Sequence, residues 1–148
     1  MPAVNIYITT GLKGPKEQDG AAVYVLETAT SRGIYAREYF MPVHGMTANR
    51  AELMAAIEAI GRMKEPCELH IYMESPYVAA GCSGKWYERW QQNGWKNAKG
   101  KEIAYREEWE ELSRLLQLHD CTFSTGRHAY SDWMEWNIKR GINNKGGK

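Results

Sequence analysis

The order of periodic segments predicts an α/β fold, a five-stranded mixed sheet with helices on its faces. Three observations point there. The first 41 residues hold three strand-like runs joined by short, turn-rich connections, the pattern of an antiparallel meander. A long amphipathic stretch from Ala48 to Lys64 then separates the third run from a fourth, which implies a right-handed crossover and parallel pairing. Finally, helical patterns alternate with one more short strand, giving the order βββαβ, two or more helices, β, α.

Asn5 to Thr10 alternates, with Ile6 and Ile8 on one face, and reads as a strand. Residues 11–20 are rich in glycine and charge and form a loop, with Asp19 in a solvated turn. Ala21 to Thr28 and Ile34 to Met41 are further strands around the turn Ser31-Arg32-Gly33. In the helix that follows, Leu53, Ile57, Ile60 and Lys64 lie close to one stripe, beside Met54 and Gly61. Glu52 stands in its first turn, with its carboxylate toward the strands beneath. Two readings are open for it: half of a capping box begun by Asn49, or an acid aimed at a site. Pro66 stops the helix, and Glu68 to Met73 is a fourth strand, with Leu69, Ile71 and Met73 against His70 and Tyr72. Short helices are expected over Ser75–Cys82 and Lys85–Gln92, and a basic loop over Asn93–Ile103. A longer helix follows over Arg106–Leu118, with Trp109, Leu112, Leu115 and Leu116 apolar. Thr122–Thr125 reads as the fifth strand and Ser131–Arg140 as the last helix. The domain is expected to span residues 1–141, with 142–148 a flexible tail.

A chain of 148 residues with six tryptophans suits one domain with a substantial core. No apolar run approaches the roughly 18 residues of a membrane span, and the N-terminus lacks a signal-peptide pattern. Cys67, Cys82 and Cys121 are odd in number and widely spaced. That suggests reduced, core-packing thiols in a cytoplasmic protein. A monomer is expected. The net charge of +1 says little about partners, but its distribution does. Lys85, Arg89, Lys96, Lys99, Lys101 and Arg106 face only Glu88 and Glu102 across 22 residues.

Several stretches together resemble one family. Asn49-Arg50-Ala51-Glu52-Leu53-Met54-Ala55-Ala56 resembles the first-helix signature of type 1 ribonuclease H, whose glutamate binds metal. Asn5-Ile6-Tyr7-Ile8-Thr9-Thr10-Gly11 resembles its first strand, with Thr10 in place of an aspartate. Ile71-Tyr72-Met73-Glu74-Ser75-Pro76-Tyr77-Val78 resembles its fourth, with Glu74 for aspartate. Thr125-Gly126-Arg127-His128-Ala129 resembles a later Lys-Gly-His-Ala segment with Arg127 inserted. The resemblance covers most of the chain and implies a ribonuclease H-like fold.

It also implies a site. In the family four acidic side chains hold two Mg²⁺ ions that activate water and stabilise the attacking and leaving oxygens of the RNA phosphodiester. The matching positions here are Thr10, Glu52, Glu74 and, near the last helix, Asn137; a two-residue shift puts Glu135 there instead, and Asp132 is close. With Glu52 and Glu74 alone, two divalent ions leave an excess of about +2, or about +1 if Glu135 joins. The resemblance thus implies a degenerate active site in which Mg or Mn is held weakly or not at all. His128 matches a mobile histidine that assists product release, or is an ordinary exposed loop histidine.

Lys85 to Lys101 resembles the family's basic protrusion, which lies along the DNA strand of a hybrid. Lysines displace counterions from phosphates and aromatic rings lie on sugars or bases. Trp95, Lys96, Lys99 and Lys101 are the expected contacts there, with Trp86 and Trp90 as packing residues. Asn49 matches a residue that reaches the minor groove, where the 2′-hydroxyl marks RNA. The expected function is therefore RNA–DNA hybrid binding with hydrolysis lost or much reduced. The alternatives are an active ribonuclease H endonuclease with an atypical metal site, and a protein-interaction module on the same scaffold.

Overall fold

The computed structural model describes residues 1–146, with side chains through Arg140. Five strands, β1 (Ala3–Thr10), β2 (Gln18–Thr30), β3 (Gly33–Met46), β4 (Glu68–Met73) and β5 (Asp120–Thr125), form one sheet in the order β3-β2-β1-β4-β5. β1, β2 and β3 pair antiparallel, whereas β4 pairs parallel to both β1 and β5. The meander and the crossover read from the sequence are both present. The helices are α1 (Ala48–Gly61), α2 (Pro76–Ser83), α3 (Trp86–Gln92), α4 (Arg106–Leu116) and α5 (Ser131–Gly146).

Several boundaries differ from expectation. β3 runs on to Met46 because its pairing with β2 continues past Met41, as far as Gln18 opposite Met46. Tertiary pairing extends a strand beyond its own periodicity. α1 ends at Gly61, so Lys64 lies outside it and exposed. Its cap is Thr47, whose hydroxyl accepts from the Arg50 N–H at 3.2 Å. The capping-box reading of Asn49 and Glu52 is thereby overturned. The tail expected over 142–148 overlaps the end of α5, and residues 147 and 148 lie outside the described residues.

α1 buries Ala51, Ala55, Ala56 and Ala59 with Leu53 and Ile60. Four alanines let the helix axis come close to the sheet, where Ile6, Ile8, Leu69, Ile71 and Met73 wait on the same side. Each fully buried Leu or Ile contributes about 1.5–3 kcal/mol relative to exposure. α5 covers part of the opposite face, where Met134 and Ile138 pack on Tyr7, Ala21, Val23 and Val25. Gly11 is required there: a Cβ on it would lie 2.6 Å from the Ile138 side chain. Gly81 serves α2 in the same way, since a Cβ would lie 2.5 Å from the Trp109 ring. Cys67 and Cys82 are free and buried in the main core, and Cys121 is free and packs against it. No helix among the described residues is long and apolar enough to cross a membrane.

Candidate active site

β1 and β4 run parallel, so their C-terminal ends lie on one edge of the sheet, and the N-termini of α1 and α5 meet them there. Glu52, on α1, is only 2% exposed. Its Oε2 accepts from the Ser75 N–H at 3.2 Å, whereas its buried Oε1 has no partner among the described residues. Burial pushes its pKa up to about 8; the Ser75 N–H opposes this, and the nearby Glu74 charge adds to it. Burial thus favours the protonated carboxyl over the ionised one. Ser75 also donates its hydroxyl to Asn49 Oδ1 at 3.1 Å. It thereby ties the first turn of α1 to the end of β4 and leaves the Asn49 NH₂ group available.

Glu74 is half-buried, and its Oε2 accepts from the Ser131 hydroxyl at 2.9 Å. Ser131, 1% exposed, in turn accepts from the His128 N–H at 2.8 Å. The His128 ring is held on both nitrogens. Nε2 lies 3.1 Å from the Ile8 carbonyl and 3.1 Å from the Thr9 hydroxyl, and Nδ1 accepts from the Tyr130 N–H at 3.2 Å. A carbonyl only accepts, so Nε2 carries the proton and the ring is neutral. Burial lowers its pKa. The expectation of an exposed loop histidine is corrected: this ring is half-buried and pins the β5–α5 turn onto β1.

Thr10 is half-buried and continues the face of β1 on which Ile6 and Ile8 meet α1. Asp19 lies exposed at the start of β2 and not in the expected turn, and it accepts from the Gly45 N–H at 2.8 Å. All three candidates for the fourth position are engaged with other groups of the protein. Arg127 Nη1 donates to Glu135 at 2.7 Å and its Nη2 to Asp132. Asn137 donates to the Trp133 carbonyl at 2.8 Å. Among the described residues no three His, Cys, Asp or Glu side chains converge in a way that could hold a metal ion. Two carboxylates and a hydroxyl do not fit a pair of divalent ions.

The protrusion is built differently. Trp90 packs edge-on against Trp109 (ring centroids 5.2 Å apart) and Trp86 edge-on against Tyr77 (6.0 Å), so both are packing residues. Trp95 leans on Trp90 at 6.4 Å and is half-buried. Beyond it, Asn97 organises a tight turn: its side-chain oxygen accepts from the N–H groups of Lys99 and Lys101 at 2.9 and 3.1 Å. Gly100, with φ of 78°, supplies the left-handed residue the turn needs. Lys96, Lys99 and Lys101 are exposed, and none forms an ion pair among the described residues. The start of α4, which follows the protrusion, is braced to the start of α1 by Tyr105 and Thr47, whose hydroxyls are 2.6 Å apart, and by Arg50 on Glu108 at 2.8 Å. Sequence reasoning missed Ser131, Tyr105 and this ion pair. Only Ser131, a serine opening a helix, left a local signal.

The RNase H family model matches residues 2–126, and this chain belongs to the RNase H family. The match ends before Arg127, His128 and all of α5. Ribonuclease H of Acetivibrio thermocellus is 45% identical over 73 residues, covering 49% of this chain and 50% of that protein. Ribonuclease HI of Brucella melitensis biotype 1 is 47% identical over 77 residues, 52% of this chain and 49% of its own length. The chain thus spans about half the length of the curated relatives it matches. Among solved structures, LC9-RNase H1, a type 1 RNase H with the type 2 active-site motif, superposes with a TM-score of 0.78 at 23% identity. It covers 97% of this chain and 74% of that one. The foamy viral protease-reverse transcriptase in complex with RNA/DNA hybrid gives a TM-score of 0.66 at 17% identity, over 95% of this chain and 20% of that one. These two likenesses carry the fold.

Proposed function

We propose that this domain binds RNA–DNA hybrids and cuts the RNA strand slowly or not at all. The observation that carries the reading is Glu52. Its burial disfavours the ionised form that binds metal, and the strand position beside it offers only the Thr10 hydroxyl. Binding is the role of the preformed turn with its three unpaired lysines, with Asn49 presenting amide hydrogens toward the minor groove. Its three free cysteines suit a reducing compartment, the cytoplasm, and it acts as a monomer.

One observation favours a second reading, an active endonuclease with an atypical site. The unpartnered Glu52 Oε1 is the kind of buried atom a cation would satisfy. Ionised Glu52 and Glu74 would be the ligands of one Mg or Mn ion, whose chemistry is activation of water. The deciding experiment incubates an end-labelled hybrid with the protein in Mg²⁺ and then Mn²⁺, beside Glu52→Gln. Metal-dependent cutting that Glu52→Gln abolishes establishes the second reading. Retention in a gel shift without cutting establishes the first. Neither cutting nor retention leaves a protein-interaction module.

A further inference from the structure

α5 packs on the β1 and β2 part of its sheet face. Further along the same face, Thr122 and Ser124 of β5 are exposed. One row of side chains crosses this face through Val25, Tyr7, Tyr72 and Ser124, paired in register from β2 to β5. The Tyr7 and Tyr72 rings are stacked, with centroids 4.6 Å apart and planes 10° from parallel. That separation matches the spacing of neighbouring strands, about 4.7–4.9 Å, so the rings stand upright on the sheet and face along the row. Tyr7 covers one face of Tyr72. The other face is turned to β5, where Ser124 is too small to meet it.

The stack therefore breaks off in a cavity of about 270 Å³, whose lining includes Tyr72, Ser124, Thr125, Arg127 and His128. One row further from the strand ends the gap is closed, because the His70 ring meets the Thr122 hydroxyl at 2.8 Å across the same two strands. Arg127 is the one charged group in the lining, and Glu135 and Asp132 already hold its guanidinium. His128 is neutral, as its bond to the Ile8 carbonyl requires. The cavity thus has no unanswered charge for a phosphate or a carboxylate. It offers a free aromatic face, with the Ser124 and Thr125 hydroxyls at its edge. Neither hydroxyl makes a hydrogen bond among the described residues. A flat, neutral ring with polar atoms on its rim answers both features, and nucleobases have that form. Tyr72 lies two residues before Glu74, so the slot stands beside the strand ends.

We propose that the slot beside Tyr72 takes one unpaired nucleobase, which continues the Tyr7–Tyr72 stack over Ser124. The inference rests on the hybrid-binding reading above and deepens it: the base comes from the single-stranded end of a hybrid.

The test titrates adenosine into protein carrying isotope-labelled tyrosine and follows the Tyr72 ring by NMR, its signals assigned with Tyr72→Phe. Adenosine shifts these signals, and Ser124→Phe, which fills the slot from β5, removes the response. Phenylalanine suits a strand and Ser124 is exposed, so the fold is kept, which far-UV circular dichroism checks. In gel shifts, a hybrid with a short single-stranded adenine overhang binds about tenfold tighter than its blunt form. Ser124→Phe abolishes that gain and leaves blunt binding as it was. The proposal is overturned if adenosine at about 10 mM leaves Tyr72 unmoved, if the response persists in Ser124→Phe, or if the overhang adds nothing to a hybrid that binds. It is also overturned if N-acetyltryptophanamide moves Tyr72 and adenosine does not, because the slot then takes an aromatic side chain of a protein. If no hybrid binds while adenosine still moves Tyr72 and Ser124→Phe blocks it, the hybrid reading falls and the nucleobase slot stands.

Discussion

The lysine turn of the protrusion and the carboxylates at the strand ends have their polar groups satisfied in opposite ways. In the turn every structural polar contact is made by Asn97 and the backbone, which leaves the lysine ammonium groups for a partner. At the strand ends Ser131 takes Glu74, Arg127 takes Asp132 and Glu135, and Glu52 is sealed against the sheet. One region is preorganised for phosphates, whereas in the other the acids are engaged with the protein itself. Preorganisation matters because a group already spent on an internal partner must lose that partner before it helps a ligand.

The largest effect that could break this contrast concerns Glu52. Its folded pKa of about 8 stands above its ordinary value of 4.5. Below pH 4.5 it is protonated in both folded and unfolded chains. Between 4.5 and 8 the unfolded chain releases the proton and the folded one keeps it, so stability falls as pH rises, by up to about 1.4 kcal/mol per pH unit. Glu52→Gln mimics the protonated form. Its advantage in Tm over the parent chain should grow steadily from pH 5 to pH 8 in thermal melts. A constant difference would mean that Glu52 is ionised in the fold, and an ionised Glu52 would move the site toward the enzyme reading.

How far the two regions could be read in the sequence differs for a physical reason. The strands, α1 and the protrusion follow from periodicity and from local patterns such as the glycine of the lysine turn, because those signals are carried by neighbours in the chain. Hence Trp86 and Trp90 could be assigned to packing in advance. The state of the acids could not, since it depends on distant partners. Ser75 meets Glu52 across 23 residues and Ser131 meets Glu74 across 57. Whether His128 had a role at the site or was an exposed loop histidine stayed open in the sequence, because its partners Ile8 and Thr9 lie about 120 positions away. Glu52 offered two local readings, and the Thr47 cap together with the burial of Glu52 against the sheet separated them.

The protrusion's half of the comparison is sharpened by replacing Lys96, Lys99 and Lys101 together with alanine. The turn is held by Asn97, not by the lysines, so the melt should be unchanged. Hybrid binding should weaken about tenfold or more. The slope of log K against log salt should fall by nearly one for each lysine that sits on a phosphate. Unchanged affinity in a salt titration would remove the turn from the binding surface and leave the two regions equally idle.

The smallest expected effect tests whether the acid site matters to binding at all. Ser131→Ala removes the donor to Glu74 and the acceptor of the His128 N–H, both in a buried setting. Losing these bonds should cost about 1–3 kcal/mol, roughly 2–4 °C in Tm per kcal/mol for a chain of this size. If grip and chemistry are separate regions, hybrid retention at moderate salt should not change, because no lysine of the protrusion touches Ser131. A parallel loss of retention would show instead that the hybrid rests on the α5 end as well. The way Ser131 and Arg127 occupy the acids would then be part of how the surface receives a duplex, not a relic of a site no longer in use.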